Sequence, residues 1–208
     1  MIPRVRIGVF GGSFDPIHFG HLAIAEEARV ALGLQQVRFI PAARQPFKGR
    51  VRATGEQRLA MVRLACGDNP AFVVDAREIH RPPPSYTSET LASLRAECGP
   101  AVDLWFILGA DAARELPRWH AITTLISHTH FAIVARPNQD FDLATLQTLL
   151  PIRDDQVALL AGPQLALASS HLRRRMAQGL PVRYQLPEAV REYIQAQQLY
   201  QQPEDAHD

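Results

Sequence analysis

The stretch Gly8-Val9-Phe10-Gly11-Gly12-Ser13-Phe14-Asp15-Pro16-Ile17-His18-Phe19-Gly20-His21-Leu22 leaves a chain few ways to fold. The apolar run from Val5 to Phe10 reads as a buried strand, and it stops at two glycines. Asp15 then reads as an N-cap with Pro16 at the first helical position. Leu22, Ala25, Ala28 and Leu32, with Ile24 and Ala31 beside them, carry the helix to about Leu32. Strand, glycine turn and helix in that order suit an anion. Glycines let the backbone approach a phosphate, and the N–H groups and dipole of a helix start favour negative charge. His18 and His21 share a face if both lie on the first turns, and Gly20 leaves that face without a Cβ between them. Two imidazoles so placed can donate hydrogen bonds to phosphate oxygens. The Gly-x-Gly-x-x-Gly pattern is absent here, which argues against the usual dinucleotide fold of hydride transfer.

Beyond this unit, strand and helix patterns alternate, the mark of a parallel sheet covered on both faces. Strands are expected at Val37–Ile40, Ala71–Asp75, Val102–Leu108, Phe131–Ala135 and Val157–Ala161, with a further short one at Gln164–Ala168 after a Gly162-Pro163 turn. Thr54 and Gln57 form a capping box for a helix with Leu59, Val62 and Leu64 or Ala65 inward. Pro82-Pro83-Pro84 is a stiff entry to a helix over about Ser88–Glu97, with Leu91 and Leu94 inward. The stretch from Leu116 to His120 precedes a helix to about Ser127, and Pro187–Gln198 is a last amphipathic helix with Val190, Tyr193 and Ile194 inward. The fold class is therefore α/β, a Rossmann-like, doubly wound, mostly parallel sheet with C-terminal helices. One domain is expected over residues 1–200, with a polar tail at 201–208.

Two further places invite a ligand. The fourth strand ends in Gly109-Ala110-Asp111, and open α/β sheets bind ligands at the carboxyl ends of their strands. Asp111 there is either an acceptor for a ribose hydroxyl or a helix N-cap. Ser169-Ser170 reads as the cap of a helix carrying Arg173, Arg174 and Arg175, ended by Gly179. Arginines near a helix's positive pole oppose its dipole, so a nearby anion is the natural explanation. Arg173 is assigned to the ligand, and Arg174 and Arg175 to a solvated face. Residues 42–55 form a polar, basic loop in which Lys48 is the phosphate candidate.

Composition narrows the rest. The 208 residues are 47% hydrophobic and 21% charged with a net charge of +1, so no general nucleic-acid surface is expected. Cys66 and Cys98 are far apart with no metal-ligand spacing, and reduced buried thiols are expected. Met1-Ile2-Pro3-Arg4 is no signal peptide and no apolar run has membrane-spanning length, so a cytoplasmic protein without membrane contact is expected.

With these landmarks placed, the chain closely resembles the bacterial nicotinate-nucleotide adenylyltransferases from Val5 to about Tyr200. Gly-Gly-Ser-Phe-Asp-Pro followed by His-x-Gly-His marks the wider adenylyltransferase superfamily. Ser85-Tyr86-Thr87, Gly109-Ala110-Asp111, Leu116 to Trp119 and Arg136-Pro137 make the narrower match. The resemblance implies transfer of the adenylyl group of ATP to nicotinate mononucleotide, giving deamido-NAD and pyrophosphate, with Mg²⁺ bound through the phosphates and no protein ligand to the metal. It implies that His18 and His21 contact the ATP phosphates as the catalytic pair. Gly11, Gly12 and Ser13 would supply a backbone cradle, Lys48, Ser169, Ser170 and Arg173 would hold phosphates, and Gly109 and Asp111 would line the nucleotide site. Tyr86, Thr87 through its backbone N–H, and Trp119 by stacking would recognise the nicotinate, with Arg136 near the mononucleotide. Two departures from the family pattern stand out. Gln45-Pro46-Phe47-Lys48 replaces Pro-Pro-His-Lys, and Leu167-Ala168-Ser169-Ser170 replaces Ile-Ser-x-Thr.

The alternatives are a relative acting on nicotinamide mononucleotide or phosphopantetheine, a CTP-using cytidylyltransferase, and a silent nucleotide-binding module. The length, with no lysine-rich partner loop, argues against an aminoacyl-tRNA synthetase. A homo-oligomer is left open.

Overall fold

The computed structural model describes residues 4–43, 51–135, 141–163 and 165–202. In chain order the elements are β1 (Val5–Gly12), α1 (Phe19–Leu32), β2 (Gln36–Pro41), α2 (Gly55–Cys66), β3 (Phe72–Val74), α3 (Thr87–Cys98), β4 (Val102–Gly109), α4 (Ala110–Arg114), α5 (Ile122–His128), β5 (His130–Ala135), α6 (Leu143–Leu149), β6 (Val157–Ala161), α7 (Ser169–Ala177) and α8 (Glu188–Ala196). Short 3₁₀ turns at Leu116–Arg118 and Asp154–Gln156 complete them. The strands form one six-stranded parallel sheet in the order β3-β2-β1-β4-β5-β6. The order reverses between β1 and β4, and their carboxyl ends form the topological switch point where such sheets take ligands.

Local chemistry explains several boundaries. Thr54 accepts from the Gln57 N–H while the Gln57 side chain accepts from the Thr54 N–H, the expected capping box at the start of α2. Asp142 caps α6 by accepting from the Thr145 N–H. Gly179, with φ of 70°, ends α7 in a conformation that only glycine adopts without strain.

By its packing the chain divides into two compact units, each built from three separate stretches. The first takes in Met1–Gly11, Ile24–Arg38 and Tyr86–Gln164. Its centre is β4, where Leu104, Trp105, Phe106, Ile107 and Leu108 are all buried, as a parallel strand covered on both faces requires. β4 pairs in parallel with β1 (Val9 opposite Phe106) and with β5 (Ile107 opposite Ala132). β6 pairs with β5 from the sheet edge, and its Leu159 is exposed. Beyond β6 the Gly162 N–H donates to the Ala135 carbonyl, where a Cβ on residue 162 would lie 2.5 Å from that oxygen. Arg95 fastens the far end of α3. Its guanidinium donates to the carbonyls of Gly99, Val102 and His128, satisfying acceptors at two helix ends.

The second unit takes in Gly12–Ala23, Phe39–Ser85 and Leu165–Asp208. Its core includes Phe39, Leu59, Met61, Val62, Leu172, Val190 and Ile194. A polar knot is buried with them. The Asp15 carboxylate, 3% exposed, accepts from the Arg52 N–H at 2.8 Å, the Ala53 N–H at 3.1 Å and the Tyr200 hydroxyl at 2.6 Å. Arg58, wholly buried on α2, donates to the carbonyls of Ser13 at 2.7 Å, Ala43 at 3.1 Å and Ala53 at 3.3 Å. Burial lowers the guanidinium's pKa from its usual value, and the negative Asp15 acts in the opposite sense.

Several expectations need correction. Asp15 does not cap a helix. Residues 13–18 are irregular, and α1 begins only at Phe19. No strand forms over residues 165–168, so Gly162-Pro163 turns no hairpin. Ser169-Ser170 is not a side-chain cap. Ala168 occupies that position and makes no side-chain cap bond. Of the pair Leu64 or Ala65, Leu64 is exposed and Ala65 half-buried; Ala31, beside the apolar face of α1, is exposed, and Tyr193 is only half-buried. Cys66 is buried, but Cys98 is half-buried, and both thiols are free. Among the described residues no helix is long and apolar enough to cross a membrane.

Two outcomes follow from these packings. Replacing Arg58 by Leu strands three main-chain carbonyls and leaves a buried carboxylate without its compensating charge. The expected loss, read from urea unfolding, is about 3–5 kcal/mol, whereas a loss under about 1 kcal/mol would remove the guanidinium from the knot. Burial pushes the Cys66 thiol up to about 12, so the fold favours its neutral form. That contribution to stability is intact below the unfolded thiol's pKa of about 8.5 and is lost as pH rises from there through the folded value. At pH 8, a disulfide reagent should label Cys98 in the native protein and reach Cys66 only on unfolding; equal native rates would contradict this burial.

Candidate phosphate site and aromatic cluster

The site is best built from the turn after β1. Gly12 ends the strand, with its carbonyl accepting from the Ala42 N–H. Phe14 follows with φ of 48°, a left-handed conformation that costs a non-glycine residue on the order of 1–3 kcal/mol. Its environment over-determines it. The ring is 2% exposed and meets the Phe39 ring at 5.9 Å, while Arg58 holds the preceding Ser13 carbonyl. The turn is thus fixed by apolar packing on Phe14 and a guanidinium on the residue before it.

The two histidines come together. Their rings stack at 3.8 Å between centroids with 24° between planes. His18 lies just before α1 and is buried, while His21 sits in its first turn and is half-buried. The Phe14 ring meets His21 edge-on at 5.2 Å. The His18 N–H donates to Nδ1 of His21 at 3.3 Å, which puts the proton of a neutral His21 imidazole on Nε2. A donor on Nε2 is what an anionic oxygen requires. Gly20 makes the stacking possible, because a Cβ there would lie 3.0 Å from Nδ1 of His18.

The start of α7 belongs to the same unit and is joined to this turn. Ser169 donates from Oγ to the Pro16 carbonyl at 2.9 Å, and Arg173 donates from its guanidinium to the Asp15 carbonyl at 2.9 Å. Ser169 therefore uses its proton to tie the turn. Ser170 is exposed beside it, and Arg173 is half-buried. The second unit thus gathers Gly12, Ser13, His18, His21, Ser169, Ser170 and Arg173 around one loop.

The first unit carries the other candidates. Gly11, near the end of β1, faces the Phe106 ring, at 3.6 Å from where its Cβ would stand. Gly109 is the N-cap of α4 and borders open space. Asp111 is in the first turn rather than at the cap, exposed, and bonded to Arg114 at 2.9 Å. Tyr86 is the N-cap of α3 without a side-chain cap bond, and Thr87 is its first residue. The Tyr86 ring lies 4.2 Å from that of His120, and Trp119, half-buried, meets Phe106 edge-on at 5.9 Å. These rings and an uncapped helix start suit a flat aromatic carboxylate, which needs a π-face and N–H donors.

Lys48 and Arg136 lie outside the described residues. Sequence reasoning missed Arg58, Tyr200 and His120. The first two are a lone arginine on an apolar helix face and a tyrosine at a helix end, patterns that carry no ligand signal. Among the described residues no three His, Cys, Asp or Glu side chains gather to hold a metal ion. The donors present are imidazole, amide and guanidinium groups, which suit phosphate oxygens rather than a hard cation.

The cytidylyltransferase-like family model matches residues 9–180. A relative from Roseiflexus sp. (strain RS-1), described as a probable nicotinate-nucleotide adenylyltransferase, is 50% identical over 93% of this chain and 97% of its own length. One from Herpetosiphon aurantiacus with the same description is 48% identical over 94% of this chain and 98% of its own. The fold is also that of the Plasmodium falciparum nicotinic acid mononucleotide adenylyltransferase complexed with NaAD, with a TM-score of 0.78, 18% identity, and 96% and 98% of the two chains covered. With His-x-Gly-His placed on a glycine turn and relatives of this similarity along nearly its whole length, the chain belongs to the cytidylyltransferase-like family and, within it, to the nicotinate-nucleotide adenylyltransferases.

Proposed function

We propose that this chain transfers the adenylyl group of ATP to nicotinate mononucleotide, giving deamido-NAD and pyrophosphate in NAD biosynthesis. The observation that carries the proposal is the stacked His18–His21 pair on a turn joined to Arg173. The near full-length similarity to nicotinate-nucleotide adenylyltransferases supports it.

Phosphoryl-type transfer asks the protein for position and charge stabilisation rather than covalent chemistry. The phosphate of nicotinate mononucleotide attacks the α-phosphorus of ATP in line, the bond to the bridging oxygen breaks, and pyrophosphate leaves with that bond's electron pair. The attacking phosphate is largely dianionic near neutral pH, so no general base is required. Charge gathers on the leaving group, where donors on His18 and His21 are worth most. Gly11, Gly12 and Ser13 form the backbone cradle, and Ser170 and Arg173 hold the outer phosphates, with Lys48 as a further cation. Ser169 holds the turn itself. Gly109 and Asp111 line the nucleotide site. Mg²⁺ is proposed to be bound by phosphate oxygens and water and to neutralise part of their charge.

For the acceptor, Trp119 stacks on the pyridine ring beside Tyr86, and the Thr87 N–H at the start of α3 meets the carboxylate. Arg136 is assigned a place near the mononucleotide. A cytoplasmic location accords with such an enzyme.

The test is ATP and Mg²⁺ with each pyridine mononucleotide in turn, the product identified by mass. Deamido-NAD and pyrophosphate from nicotinate mononucleotide, with much slower turnover of the nicotinamide compound, is the expected result. No product from either, or product only from phosphopantetheine or CTP, would overturn the proposal. His21→Ala should lower kcat by roughly two to three orders of magnitude with a modest change in KM, as for loss of an oxyanion donor. A near-normal kcat would remove His21 from the mechanism.

A further inference from the structure

We propose that Tyr200 is a positioning residue for the phosphate site, acting through Asp15 on Arg173 and the histidine turn. The inference rests on the reaction proposed above and adds to it a residue nearly two hundred positions from the motif.

Asp15 is a joint with two sides. Its carboxylate receives the Tyr200 hydroxyl at 2.6 Å, and its main-chain carbonyl receives the Arg173 guanidinium at 2.9 Å. The next residue, Pro16, receives Ser169, and His18 follows two positions later. A displacement of Asp15 therefore moves the anchor of Arg173 and the entry to both imidazoles together.

Tyr200 is held by its burial and by its hydrogen bond to Asp15. It is 8% exposed and follows α8, whose end is closed by the Leu199 N–H donating to the Ile194 carbonyl. Its φ of 60° is left-handed, so its own conformation is held by its surroundings. Burial and the Asp15 carboxylate push the phenol far above its usual pKa, so it remains a donor at any working pH. A hydroxyl donating to an ionised oxygen is among the stronger hydrogen bonds. Apolar packing alone does not need this hydroxyl, since phenylalanine would fill the same space. What the hydroxyl adds is the orientation of one carboxylate oxygen, which also accepts from the Ala53 N–H at 3.1 Å.

Displacements of about 1 Å at a reacting centre cost on the order of a hundredfold in rate. Tyr200→Phe is therefore expected to lower kcat about ten- to a hundredfold at a temperature where it is fully folded, with KM for nicotinate mononucleotide within about twofold. Asp15→Asn should lower kcat as well, and the double variant should be no worse than Asp15→Asn alone, because the two changes break one link. Tyr184→Phe, 83% exposed, is the control that leaves kcat unchanged.

A purely structural tyrosine would lower the melting temperature and leave kcat within about twofold; that result, or additive effects in the double variant, would overturn the inference. The unmodified chain separates the two claims. Its failure to make deamido-NAD defeats the proposed reaction, whereas full activity in Tyr200→Phe defeats only the role of Tyr200. A second readout needs neither turnover nor a variant of Tyr200. With 3-fluorotyrosine at the four tyrosines, a non-hydrolysable ATP analogue should shift the Tyr200 fluorine resonance and leave that of Tyr184 in place. A Tyr200 resonance unmoved at saturating analogue would overturn the coupling.

Discussion

A carboxylate kept out of water is the constraint on which the phosphate turn depends. Asp15 is 3% exposed, and an isolated buried charge is costly unless every lone pair is answered. Here two main-chain N–H groups and a tyrosine hydroxyl answer it. The buried Arg58 supplies the compensating charge while bonding to three main-chain carbonyls. Because the carboxylate cannot be left unsatisfied, the residues that bond to it have fixed positions, and so does the turn that carries it. The left-handed Phe14 and the stacked histidines lie on either side of Asp15 in the chain.

Much of this was legible in the sequence because the signals were local. The Thr54–Gln57 capping box, the apolar run of β4 and the glycine stop of α7 each rest on a few neighbouring residues, and each forms as expected. The reading of Asp15-Pro16 as a helix start was also local, and it failed because partners distant in the chain claimed the side chain. Arg52, Ala53 and Tyr200 satisfy the carboxylate better than a helix end would, so α1 begins later, at Phe19. Ser169 failed as a cap for the same reason, its hydroxyl being bonded to Pro16 instead. Residues 165–168 carry a strand-like pattern, but β6 already ends the sheet order. Arg58 shows the limit most clearly. A charged residue on an apolar face reads as a solvated edge, and only the tertiary structure supplies the three carbonyls that bury it.

The two groups of candidate residues follow different physics. The group proposed for phosphate is polar, with its donors tied by hydrogen bonds to the main chain. The group of Tyr86, His120 and Trp119 is aromatic and half-buried, and its specificity lies in a ring face and an uncapped helix start. The first suits a triphosphate, whose charge changes during transfer, and the second suits a flat pyridinium ring bearing one carboxylate.

The central claim is that the imidazoles of His18 and His21 meet the ATP phosphates. Nitrogen-15 chemical shifts of the eight histidine side chains, recorded with and without a non-hydrolysable ATP analogue, test it most directly. The account predicts that the ring nitrogens of His18 and His21 move together on saturation, with Nδ1 of His21 retaining the shift of an acceptor. Unmoved shifts at these two residues, with the analogue bound and another histidine responding, would contradict it.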